Sequence, residues 1–112
     1  MKKLILLSIL LIAGCSLGVD YMPISHQAYE AKPSDHFIHV FELREDISEY
    51  KLIGKVGIGE AGMTVECGYT DVIKKAQEKA REVGGDAIQI LELKTPSGGT
   101  CYHLFASILI KI

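Results

Sequence analysis

The chain is 112 residues long, 23% charged and 7% aromatic, has no tryptophan, and carries a formal charge of −2. This is the composition of one ordinary globular domain, and it excludes a collagen-like or disordered chain. Without the basic leader described next, 10 Lys and Arg face 14 Asp and Glu, about −4, and a mildly acidic chain with no basic patch argues against nucleic acid as a partner.

Lys2 and Lys3 form a positive start, and Leu4 to Ala13 is an apolar run of about ten residues broken by Ser8. A membrane-spanning helix needs roughly 20 apolar residues, so this run reads as a signal peptide over residues 1–14. It ends Ile12-Ala13-Gly14-Cys15. Small residues just before a cysteine resemble the lipobox of bacterial lipoproteins. That resemblance implies a diacylglycerol thioether on the Cys15 thiol, cleavage before Cys15 and acylation of its amine. Two or three acyl chains, at about 0.8 kcal/mol per buried methylene, would hold the protein to a bilayer. The next residue, Ser16, is not the aspartate that retains Gram-negative lipoproteins at the inner membrane. The expected location is therefore the outer membrane, facing the periplasm, in a Gram-negative host.

Residues 15–35 read as the lipidated cysteine and a tether, with Gly18, Pro23, Pro33 and no sustained periodicity. Such a segment spans roughly 25 Å as a coil and about 70 Å fully stretched. Tyr21, Met22, Ile24 and Tyr29 are more apolar than a spacer needs, which leaves open that part of it packs on the domain.

Residues 36–112 carry the domain. Phe37 to Leu43 is predicted as a strand, with Ile38 and Val40 on one face and Phe37, His39, Phe41 and Leu43 on the other. Arg44 to Tyr50 is a polar connection, and Leu52 to Ile58 is the second strand. Val72, Ile73, Ala76, Ala80 and Val83 recur at three and four, which predicts a helix over 70–83 with one apolar stripe. Thr70 or Tyr69 is expected at the cap, Asp71 favours the positive end and is spaced to pair with Lys75, and Gly84-Gly85 ends the helix. Ala87 to Leu93 is the third strand, and Pro96 to Gly99 is a turn. Cys101 to Ile112 alternates cleanly, with Tyr102, Leu104, Ala106, Ile108, Ile110 and Ile112 on one face. The expected fold is α+β, a four-stranded sheet in the order β-β-α-β-β with the helix packed on one face.

Ile53-Gly54-Lys55-Val56, Gly59, Cys67, the Lys/Ala-rich helix, Gly85-Asp86-Ala87-Ile88 and Gly99-Thr100-Cys101-Tyr102 together resemble the periplasmic domain of the Rcs-pathway stress-sensor lipoprotein. The resemblance covers about Leu52 to Ile112. It implies a β-β-α-β-β core, a lipidated cysteine and a disulfide matching Cys67 and Cys101. The second disulfide of that family has no counterpart, since neither Ile90 to Lys94 nor Phe105 to Leu109 holds a cysteine. Its long Pro-rich and basic tether is also absent. The same architecture recurs in small YbjQ-like domains, sometimes described as heavy-metal-binding.

After acylation of Cys15, Cys67 and Cys101 are the remaining cysteines, and an even pair in an exported chain reads as a disulfide. Closing a loop of about 35 residues would contribute roughly 3.8 kcal/mol in the chain-entropy model. A redox pair or a metal-bound pair are the alternatives, although there is no Cys-x-x-Cys and no basic cluster beside either thiol. Gly57-Ile-Gly-Glu-Ala-Gly62 spells the dinucleotide motif, but the helix starts too late for it to cradle a phosphate. His36 and His39, three apart on an extended chain, point to opposite faces and do not pair as metal ligands; His26 and His103 have no fixed relation to them. No acid/base dyad, nucleophile elbow or phosphate loop is visible, so no enzyme and no cofactor are expected. The sequence reading is a lipid-anchored module that binds an envelope protein or senses the envelope. The alternative is a small ligand- or metal-binding module of YbjQ-like type.

Overall fold

The Val72–Ala76–Ala80 stripe faces a sheet, as its spacing requires. The computed structural model describes residues 18–24, 27–59, 68–95 and 101–112. Helix α1 is Tyr69–Glu82; Val72, Ala76 and Ala80 are fully buried, and Ile73 and Val83 pack at the margins. Its N-cap is Gly68 rather than Thr70 or Tyr69. The Asp71 carboxylate accepts the Gly68 N–H at 2.9 Å, doing from the third helical position what a glycine cap has no side chain to do. Asp71 is thus engaged with the cap, and Lys75 pairs with Glu78 at 3.5 Å instead. The helix ends on Gly84 at φ +88°, and the Gly84 N–H reaches Arg81 O while the Gly85 N–H reaches Ala80 O. This pair of bonds is a Schellman stop, which needs a left-handed residue at the first glycine.

The sheet has five strands where four are expected. The additional strand β1, Gly18–Pro23, comes from the segment read as tether. The others are β2 (His39–Phe41), β3 (Tyr50–Gly59), β4 (Ala87–Lys94) and β5 (His103–Lys111). Spatial order is β1-β3-β5-β4-β2, antiparallel throughout except for the parallel pair β2/β4. Among the described residues the element order is therefore β-β-β-α-β-β. The strand expected over Phe37 to Leu43 shortens to three residues, because β2 ladders with β4 only at Ala87 to Gln89. The turn expected at Pro96 to Gly99 lies outside the described residues.

The β5 alternation sorts the two faces. Leu104, Ala106 and Ile108 meet α1 together with Val56, Ile58, Ile88 and Ile38 in one core. Each large side chain buried there stabilises by about 1.5–3 kcal/mol. β1 completes this layer: Tyr21 pairs across from Val56, its ring lies over Gly54, and Lys79 Nζ sits 5.5 Å from the ring centroid. Burial, with a smaller push from Tyr29, raises the Tyr21 phenol above its ordinary value of 10.0.

The chain after β1 is pinned too. The Lys32 N–H donates to Arg81 O at 2.8 Å, and Arg81 Nε donates to His36 O at 2.7 Å. Asp86 ties this strap to the sheet. It accepts His36 Nε2 at 2.8 Å and the Lys111 N–H at 2.9 Å, with Lys32 Nζ at 3.6 Å. Burial alone would raise the Asp86 carboxyl, but the Lys111 and His36 bonds and the nearby Lys32 and His36 charges outweigh it and hold it below the usual carboxylate range.

Candidate functional site

The sheet face opposite α1 carries the candidate site. At one end Phe41, Ala87 and Leu109 form a small second core with Ile47 and Tyr50 at its margin. The polar connection 42–49 folds against this end. Gln89, buried in mid-sheet, holds it by donating to Glu42 O at 3.3 Å and Leu43 O at 3.2 Å. Within the connection, Asp46 accepts the Ser48 N–H at 2.9 Å and Glu45 accepts the Glu42 N–H at 2.8 Å. The Ser48 bonds lower the Asp46 carboxyl from its ordinary value.

An aromatic row leaves this second core. Phe41 and Tyr50 meet edge to face at 5.2 Å, His39 and Phe41 pack at 4.2 Å with their planes tilted by 42°, and Phe37 and His39 meet edge to face at 6.0 Å. Exposure rises along the row, from 9% at Phe41 to 73% at Phe37, and Leu43 beside it is 59% exposed. Period-2 alternation puts Phe37, His39 and Phe41 on one face, as the sequence predicts, whereas Leu43 lies in the turn that follows β2. β2 is also a sheet edge, so nothing from the described part of the fold covers Phe37.

The other end of this face is different. Gly18 pairs with Gly59, and Gly57 lies between Asp20 and Phe105. The missing side chains leave a groove of about 650 Å³ lined by Val19, Gly57, Gly59, His103 and Phe105, with Asp20, Glu92 and Lys94 among its polar walls. The His103 ring closes over Gly59, where an added Cβ would lie 2.7 Å from Nδ1.

Of the residues singled out from sequence, Cys15 and Cys67 lie outside the described residues, as does His26. Cys101 is 6% exposed and immediately precedes β5. His36 and His39 part company as the strand geometry requires: His36 goes to Asp86, and His39 goes into the aromatic row. Among the described residues no group of three His, Cys, Asp or Glu is placed to hold a metal ion, and no helix is long and apolar enough to cross a membrane. The His36–Asp86–Lys32 knot escaped the sequence reading, because its members come from two distant segments with no shared periodicity.

No family model matches the chain, and no curated protein matches it in sequence. Among solved structures it is similar to a Francisella virulence factor, FvfA, crystallised in an orthorhombic form. The two share 14% identity with a TM-score of 0.60, over 86% of this chain and 99% of that one. At that identity the likeness shows the fold alone.

Proposed function

We propose that the mature protein is a lipoprotein anchored through Cys15, in the outer membrane of a Gram-negative host, and that it acts by binding an envelope protein. The observation that carries the binding role is the exposed end of the aromatic row. A phenylalanine left 73% exposed beside a sheet edge, in edge-to-face contact with His39, is the kind of anchor that a partner buries. The lipobox-like Ile12 to Cys15 supports the location, and the resemblance to the Rcs-pathway sensor supports a sensing role. In the same reading Cys67 and Cys101 form a disulfide that staples the loop before α1 to the start of β5.

A photo-crosslinking residue placed at Phe37 in intact cells tests the binding role. It should give a discrete crosslinked species, and the same residue at Glu78, on the outer surface of α1, should not. Equal labelling from both positions, or none from Phe37, would remove the partner site. The competing reading, a small ligand- or metal-binding domain of YbjQ-like type, draws on the groove between Val19 and Phe105. Native mass spectrometry and metal analysis of the purified domain separate it from the first.

A further inference from the structure

We infer that the domain does not hang from a tether but stands on the bilayer, with the Gly18–Gly59–His103 end of its sheet against the lipid surface. This rests on the proposed lipidation of Cys15. Gly18 is already in β1, hydrogen-bonded in register opposite Gly59. Only Ser16 and Leu17 separate it from Cys15. Three Cα steps cover at most about 11 Å whatever path they take, against the roughly 70 Å that a free segment of residues 15–35 would allow. An acylated Cys15 sits at the membrane interface, so the end of the sheet that carries Gly18 lies within about the thickness of a headgroup layer.

Two further observations agree. The strands that end or begin there are β1, β3, β4 and β5, and the side chains around the groove on this face include Asp20, Glu92, Lys94, His103 and Phe105. Phe105 supplies apolar surface and Lys94, paired with Glu92 at 3.6 Å, a basic group, a mixture that suits the headgroup boundary. Glu49 immediately precedes β3, whose ten residues rise about 30 Å from Tyr50 to Gly59. An anionic bilayer would therefore lie about three Debye lengths from the Glu49 carboxylate, where its repulsion is screened. The reverse orientation would bring that carboxylate to the bilayer.

The test uses the full lipidated protein on vesicles of phosphatidylethanolamine and phosphatidylglycerol, and a membrane-impermeant amine reagent read out by mass spectrometry. Lys94 is the probe of the near end; its side chain is 70% exposed, and its reactivity in the unlipidated protein is the reference. Lys51, near the start of β3, and Lys111, at the end of β5, probe the far end. Lipidated protein should show Lys94 modified several-fold more slowly than unlipidated Cys15→Ala protein, with Lys51 and Lys111 unchanged. Inserting about ten Gly and Ser residues between Leu17 and Gly18 should restore Lys94 reactivity while the protein stays on the vesicle. Equal Lys94 reactivity with and without the lipid would overturn the inference, and so would protection of Lys51 and Lys111. Palmitate labelling comes first. Absence of label sinks the lipoprotein reading itself, whereas label without Lys94 protection sinks only the orientation.

Discussion

Tyr21 decides whether Gly18–Pro23 is part of the fold or a spacer resting on it. Its ring packs on the α1 side of the sheet over Gly54, and its hydroxyl lies 3.5 Å from Ile53 O, too long to contribute much. A half-buried tyrosine removes on the order of 100 Å² of apolar surface from water, or about 2.5 kcal/mol. Tyr21→Ala should therefore cost about 2–3 kcal/mol. In urea, with a slope near 1 kcal/mol/M for a domain of this size, that lowers the midpoint by about 2–3 M. The partner mutation is sharper. A Cβ at Gly54 would lie 2.5–2.7 Å from two carbons of the Tyr21 ring, so Gly54→Ala must displace the ring and should cost a similar amount. Gly54 does not have a positive φ, so alanine fits the backbone itself. In the Tyr21→Ala background the clash is gone, and Gly54→Ala should become neutral or slightly stabilising. The cycle should thus show a coupling of about 2 kcal/mol. The measurement is urea denaturation of the soluble chain beginning at Ser16. A midpoint change under about 0.3 M for Tyr21→Ala would mean that β1 is only loosely laid on β3, and the short-leash argument would fall with it.

Replacing Asp86 by Asn should lower stability at pH 7 by about 1–2 kcal/mol and flatten the acid limb of the stability curve. The Asp86 carboxyl titrates below its ordinary value, so its contribution is complete above about pH 4 and is lost as pH falls through the lower folded value; denaturation at stepped pH reads this directly. Cys67→Ser and Cys101→Ser should each cost about 3–4 kcal/mol and the double mutant little more, whereas two titratable thiols in denatured, unreduced protein lacking Cys15 would exclude the disulfide. Cys15→Ala should abolish incorporation of labelled palmitate and release the protein from membranes, and label persisting in that mutant would exclude the lipobox.

The helix, its stop and the last strand were legible because their signals are local. Val72, Ala76 and Ala80 recur at helical spacing, Gly84 is one of two adjacent glycines at the point where the spacing stops, and Leu104, Ala106 and Ile108 alternate without a break. β1 was not legible. Its six residues include Gly18, Asp20 and Pro23, and its alternation reduces to Val19 and Tyr21. What makes it a strand is the free edge of β3, which lies 27 residues or more downstream. An edge strand tolerates Pro23 because its outward N–H has no partner to lose. β2 was read as too long for a related reason: propensity runs from Phe37 to Leu43, but the length of a strand is set by the partner positions it finds. The facing of Phe37, His39 and Phe41 followed from the sequence, whereas the exposure of Phe37 depends on β2 being outermost, which is topology.

The two proposals constrain each other through the direction of the strands. β2 runs parallel to β4 and enters beside Ala87, the β4 end remote from Lys94. Phe37 precedes β2, so it lies at the far end of the sheet from Gly18 and Gly59. A domain that stands on the membrane by Gly18 therefore presents Phe37 away from the lipid, about a strand length above it, where a periplasmic partner can reach it. Inverting the domain would turn the same residue into a membrane anchor, and no partner site would be left at that end. Protection of Lys51 and Lys111 in the vesicle experiment would be the mark of that inversion, and it would reassign the aromatic row from protein to lipid. The short connection from Cys15 to β1 favours the upright arrangement, since reaching the bilayer with Phe37 down would require residues 15–17 to span the roughly 30 Å length of β3.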